Sequence, residues 1–275
     1  MKAIPRRVHA GLLGIVLATG AHAGTQAPAP VPAAQAKATD TQKLAHELLL
    51  RAARFLAQAP RFSVTVASNY DALQADGEKI EFGERRKVIL NRPAQFRVET
   101  ERSDGRRGWT VFTGKEIVVV DATNRVYATD PQPGGIDDSI VHLISDLGLR
   151  LPLALMLTTR MPSEFEKRLR SADYVEKTNL LGTPAHHIAV RGETVDFQVW
   201  IADGAQPVPL RVVINYRDEP GQPQFRATLS DWNFAPAITA ATFAPQFPDG
   251  ATKISFASQL AAGARRTSAD KGGMQ

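Results

Sequence analysis

From Arg61 onward, apolar and polar residues alternate one by one, and they do so in eleven separate runs. A helix needs apolar residues every three or four positions, so a period of two commits these runs to β-strands with one buried face. Phe62, Val64 and Val66 alternate with Ser63 and Thr65, and Phe96 and Val98 with Arg97 and Glu99. Ile80, Phe82, Val88 and Leu90 share one parity, with Glu84 and Arg86 breaking the middle. Trp109 and Val111, then Ile117 to Val120, then Val126 to Ala128 complete a first block of six. Asp76-Gly77, Asp104-Gly105, Thr113-Gly114 and Thr123-Asn124 supply the turns between them. A second block holds five more runs: Tyr174–Asn179, Ala185–Arg191, Val195–Ile201, Leu210–Arg217 and Gln224–Trp232. Its turns are Leu181-Gly182, Gly192-Glu193, Asp203-Gly204 and Pro220-Gly221. Such short connections join antiparallel strands only, because parallel ones need long crossovers.

Two helical stretches interrupt the alternation. Leu44, Leu48, Ala52 and Phe55 recur at helical spacing behind Thr39, Asp40 or Thr41 as cap, and Pro60 ends that helix. Between the two blocks of strands, Pro131 to Arg170 contains Ile136 to Leu149 at helical spacing, a short helix opened by Pro152, and a further turn over Ser163 to Leu169. An open antiparallel sheet this wide curls, and helices then cover its concave face. The fold class expected is therefore mainly β with α: one curved sheet of about eleven strands, an N-terminal helix and a helical insert. One face of that sheet reads as apolar throughout and the other as polar. A split into two domains at the insert would leave each half without a second layer.

The formal charge of +5 points at first to nucleic acid. Its distribution removes that reading. Lys2, Arg6 and Arg7 precede the apolar run Ala10 to Gly20, and Ala21-His22-Ala23 follows as a cleavage site, so residues 1–23 read as a secretory signal. An uncleaved N-terminal anchor is the alternative. Residues 24–38 are an Ala/Pro-rich linker, and residues 257–275 read as a disordered basic tail. Between them, residues 39–256 form one domain whose 26 basic and 27 acidic residues (counted from Asp40) nearly cancel. A neutral domain has no electrostatic footprint for DNA. Arg85-Arg86 and Arg106-Arg107 read as solvated pairs. The chain has no cysteine. That excludes disulfides, thiolate metal sites and an N-terminal lipid anchor. The location expected is the periplasm, with membrane contact only peripheral or transient.

No catalytic motif is present: no phosphate-binding glycine loop, no G-x-S-x-G and no H-E-x-x-H. His186 and His187 are neighbours on a strand, so they point to opposite faces and are poorly placed to share a metal. Asp137-Asp138 opens a helix, where negative charge is favourable. Asp196 is placed to pair with a basic neighbour. No nucleophile, base and orienting group come together, so neither catalysis nor a cofactor is expected. The apolar face remains. It is either an ordinary core filled by the helices or the lining of a cavity for a hydrophobic ligand, and alternation alone is compatible with both.

Four strings carry a resemblance. They are KIEFGERRKVILNRPAQFRVE (79–99) behind Asp76-Gly77, DFQVWIADGAQPVPLRVVINY (196–216), PQFRATLSDWNFAP (223–236) and ATFAPQFPDGATKI (241–254). Together they resemble a family of predicted periplasmic proteins of unknown function, domain family 2092, over nearly all of residues 40–256. The last two strings are also similar to the Lol-type lipoprotein carriers and related mycobacterial lipoproteins. That resemblance implies a half-open β-barrel with helices as a lid, holding lipid or lipoprotein acyl chains. The absent lipidation cysteine sets this chain apart from the lipid-anchored members. Arg97 and Arg211 match the carriers' gating arginine by residue type only, and structural ion pairs are expected of both. On this reading the cavity is lined by Phe62, Phe82, Val98, Trp109, Met156, Phe197, Val199 and Ile214. The partners expected are lipid or lipoprotein acyl chains and an envelope protein, with no nucleic acid. A protein-interaction or envelope-sensing module on the same fold, without lipid cargo, is the alternative.

Overall fold

The computed structural model describes residues 40–180 and 182–257. The signal, the linker and the basic tail beyond Ala257 lie outside these residues, as does Leu181. The first element is helix α1 (Asp40–Gln58), whose Ala45, Leu48, Leu49, Ala52, Ala53 and Leu56 are buried. Six strands follow: β1 (Arg61–Leu73), β2 (Lys79–Asn91), β3 (Gln95–Arg102), β4 (Arg107–Phe112), β5 (Glu116–Asp121) and β6 (Val126–Pro131). The insert folds as α2 (Ile136–Ser145), a 3-10 turn (Ala154–Leu157) and α3 (Met161–Arg168). Strands β7 (Leu169–Leu180), β8 (Thr183–Gly192), β9 (Asp196–Ala202), β10 (Pro209–Asn215) and β11 (Gln224–Asn233) complete the alternating runs. A two-residue strand, β12 (Thr252–Lys253), comes last.

All the strands belong to one open sheet in the order β12-β6-β5-β4-β3-β2-β1-β11-β10-β9-β8-β7. The first block meanders outward from the centre to one side. The helical insert then carries the chain to the opposite edge, and the second block meanders back. Its last strand lies antiparallel beside the first, with Val66 opposite Leu229 and Tyr70 opposite Phe225. This central pairing joins the two blocks in one continuous sheet. The result is a half-open barrel with its helices on the concave face. The eleven runs of alternation are the eleven antiparallel strands, and only β12, parallel to β6, was not legible in them.

The faces differ from expectation in one region. On β4 and β5, Phe112 and Ile117 join the main core, yet Val111, Val118 and Val120, of the other parity, are also buried. The chain after β11 covers them. Trp109 donates its indole N–H to the Gln246 carbonyl at 3.1 Å, and Tyr127 packs on Phe247 with ring centroids 4.4 Å apart. Phe243 is buried in the same layer. The unbroken run Ile117 to Val120 is the sequence mark of a strand buried on both faces. Arg97 lies on this convex side, paired with Glu99 at 2.8 Å and resting over Trp109. Arg211 lies over Trp200. Arg97 thus makes the ion pair expected of it, whereas Arg211 makes a ring contact and no ion pair found among the described residues.

At Asp231 the backbone enters the left-handed region (φ 55°), and the β1–β11 register shifts there. A bulge of this kind re-aims the side chains beyond it. It turns Trp232 toward the core, where Phe55, Phe62, Trp232 and Phe234 make an aromatic cluster fixing the end of α1 to the sheet.

Candidate functional site

Beneath the helices the concave face is not completely filled. One cavity of about 160 Å³ lies between β9–β10 and the lid. Phe197, Val199, Ile201, Val212 and Ile214 form its floor. Leu49, Ala52 and Leu56 of α1, with Leu153, Leu155, Met156, Met161 and Phe165 of the insert, form its roof. Every lining residue is apolar. Phe165 stacks on Phe197 at 6.0 Å between the roof and the floor. The strand residues share one parity, so the alternation of β9 and β10 delivers them to the same face.

A second cavity of about 110 Å³ lies over β1–β4. Phe62, Val64, Val66, Val88, Phe96 and Val98 line it from the sheet, and Ile140 and Leu143 of α2 from above. Three polar side chains enter the same wall: Arg86, Thr100 and Thr110. Leu153 and Met156 line both cavities, so the 3-10 turn is the partition between two lobes. Leu153 sits in the left-handed region (φ 66°), a conformation that costs a non-glycine residue energy and is held by its surroundings.

The lid is tied down by a half-buried arginine. Arg92, in the β2–β3 turn, donates to the carbonyls of Ala59 (3.0 Å), Leu157 (2.9 Å) and Leu56 (3.3 Å). One guanidinium thus satisfies carbonyls at the end of α1 and at the end of the 3-10 turn. A cation is favourable at a helix C-terminus. Burial lowers the Arg92 pKa, and Asp137 nearby opposes that shift.

Helix α2 is tied down by a histidine. His142 Nε2 meets Asp130 at 2.5 Å on β6, and its Nδ1 meets Asp146 at 2.6 Å on the far end of α2. Burial works against the charge on His142, but the two carboxylates outweigh it and raise its pKa. A raised folded-state pKa stabilises the protein fully below the unfolded value near 6.5, and the gain disappears as pH rises through the folded value. Wild type should therefore exceed His142→Gln in stability at about pH 6, and the gap should shrink by about pH 9. Urea unfolding at both pH values measures it. A gap independent of pH would remove the charged histidine as its cause. This cluster lines neither lobe.

The sequence-derived lining residues divide. Met156, Phe197, Val199 and Ile214 come together in the first lobe, and Phe62, Val98 and Met156 in the second. Trp109 does not belong with them. Its parity puts it on the convex face under the C-terminal chain, because Thr110 and Phe112 are the concave residues of β4. Phe82 has concave parity but lines neither lobe, and it stacks on Tyr70 at 6.0 Å. Arg86 reads from the sequence as solvated, yet its side chain is only 18% exposed and faces the cavity. Its position in line with Phe82 and Val88 was the signal for that. His186 and His187 do part, one to Tyr174 and Asp203, the other stacked on Trp200. Asp196 lies within 3.6 Å of both Arg191 and Arg217.

Among solved structures, an uncharacterized conserved protein from Thermus thermophilus is 16% identical with a TM-score of 0.45, covering 77% of this chain and 99% of that one. The lipoprotein LppX of Mycobacterium tuberculosis is 12% identical with a TM-score of 0.44, over 72% and 99%. A LolA superfamily protein from Nitrosomonas europaea is 12% identical with a TM-score of 0.40, over 73% and 97%. No curated protein matches the sequence. Among the described residues, no helix is long and apolar enough to cross a membrane. The family model described as "Predicted periplasmic protein (DUF2092)" matches residues 45–257, and with most of its length so covered, this chain belongs to that periplasmic family.

Proposed function

We propose that this protein binds a hydrophobic ligand, of the acyl-chain class, in the two-lobed cavity between the sheet and its helices. The observation that carries the reading is the unfilled first lobe. Protein interiors pack densely and leave few voids larger than a water molecule. Here about 160 Å³ remains open inside a wholly apolar wall. A dry apolar cavity near 150 Å³ accepts a six-carbon ring. Lobes of this volume suit segments of a chain, and a bulky lipid requires the lid to lift. Burial of methylenes drives binding at about 0.8 kcal/mol for each CH₂.

Protein purified from periplasm should carry lipid in native mass spectrometry. The delipidated form should take up a fluorescent fatty acid, releasable by unlabelled acyl chains. Apoprotein alone, with no uptake, would end this reading. Val141 and Ile144, exposed on the outer side of α2, favour a second one, in which the domain recognises an envelope protein. A stoichiometric protein partner without lipid would support that alternative.

A further inference from the structure

Arg86 is an unusual wall for an apolar cavity. On the concave face Val66, Arg86 and Thr100 lie side by side across β1, β2 and β3. One nitrogen of Arg86, Nη2, meets Glu84 at 2.5 Å, and Ser68 lies 3.5 Å from the same carboxylate. Its Nε and Nη1 make no hydrogen bond found among the described residues, and the side chain lines the cavity. Among the described residues no hydrogen bond is found for the hydroxyls of Thr100 and Thr110, which line the same wall. Arg102 stands opposite Glu84 on β3, and its charge acts on Arg86. Among the described residues Glu84 pairs with Arg86 alone, and Arg102 is exposed at the strand surface.

This arrangement has no evident structural purpose. A buried ion pair contributes little more to stability than an apolar pair of the same shape. What it offers is a guanidinium with unused donors, flanked by two free hydroxyls, at one side of a greasy channel. A carboxylate or phosphate oxygen fits such donors.

We propose that Arg86, Thr100 and Thr110 form a head-group subsite for a single-chain anionic amphiphile. The head rests on these three residues, and the tail runs along Val88 and Val98 to the partition at Met156. The inference rests on the acyl-binding reading above and adds to it the chemistry and direction of the ligand.

Titration calorimetry at about pH 8 with dodecanoate, dodecyl phosphate, dodecan-1-ol and inorganic phosphate tests it. The purified wild type should bind the two anionic amphiphiles about tenfold or more tighter than the alcohol of equal tail length. Inorganic phosphate alone should bind far more weakly than dodecyl phosphate. Arg86→Leu should remove the preference for an anionic head. Thr100→Val should reduce the preference partly. Equal wild-type affinity for acid and alcohol overturns the subsite while leaving the acyl-binding reading intact. Binding of inorganic phosphate as tight as that of dodecyl phosphate also overturns it, since the site would then serve a free anion. If no tailed compound binds, the acyl-binding reading fails with it. The acid-to-alcohol ratio is read in wild type, so it decides even if Arg86→Leu does not fold.

Discussion

Replacing Arg92 with alanine is expected to lower the stability of the domain by about 3 kcal/mol. Three carbonyls, those of Leu56, Ala59 and Leu157, lose their common donor. A hydrogen bond to a charged group contributes about 1.5–3 kcal/mol, and water reaching the freed carbonyls recovers part of the loss. The damage should also be local before it is global. Amide exchange should accelerate at the end of α1 and around the 3-10 turn, because this side chain bonds the carbonyls of both. Arg92→Lys should restore only part of the stability, since an ammonium lacks the planar fork that spans three acceptors. A stability loss with no change in exchange at α1 would show that the guanidinium is not what fastens the lid.

The second large effect concerns the ligand. Val212→Phe places a ring in the first lobe, where Val212 forms part of the floor. The void should absorb the ring with a stability change under about 1.5 kcal/mol. Ligand should suffer more. Excluding three methylenes from the lobe costs about 2.4 kcal/mol at 0.8 kcal/mol each, so binding should weaken about fiftyfold. Shorter chains should lose less than longer ones. Competition with a fluorescent fatty acid across chain lengths reads this directly. Unchanged affinity at every length would move the ligand out of this lobe.

Alternation was the strongest signal in this sequence because its period is set by backbone geometry, not by context. It placed all eleven antiparallel strands, and helical spacing placed α1, α2 and α3. It also put Phe197, Val199 and Ile214 on one face. Strand order was not legible, because the β1–β11 pairing depends on where the insert delivers the chain. Trp109 shows the limit of parity read along a single strand. Its neighbour Val111 is apolar too, and only the covering layer around Phe243 and Gln246 gives that face its burial. Phe82 has the right parity, but it stacks on Tyr70 outside both lobes. Arg86 and Arg92 were legible as charges and not as roles. A charge within an apolar register belongs to the concave face, and a charge in a turn is placed by tertiary packing alone.

The pairing of β1 with β11 has a consequence for the order in which this chain acquires its structure. The two strands that meet at the centre of the sheet are the first and the last of the alternating eleven, and Asp71 and Arg226 on them are 155 positions apart. Contacts so distant in sequence require a large loop to close first, which slows folding. A chain emerging from its N-terminus presents β1 long before β11 exists. Until then the six-strand block has an unpaired edge and an open greasy face, both of which invite aggregation. The surface suited to holding a guest is thus also the surface most in need of shelter while the protein is being made.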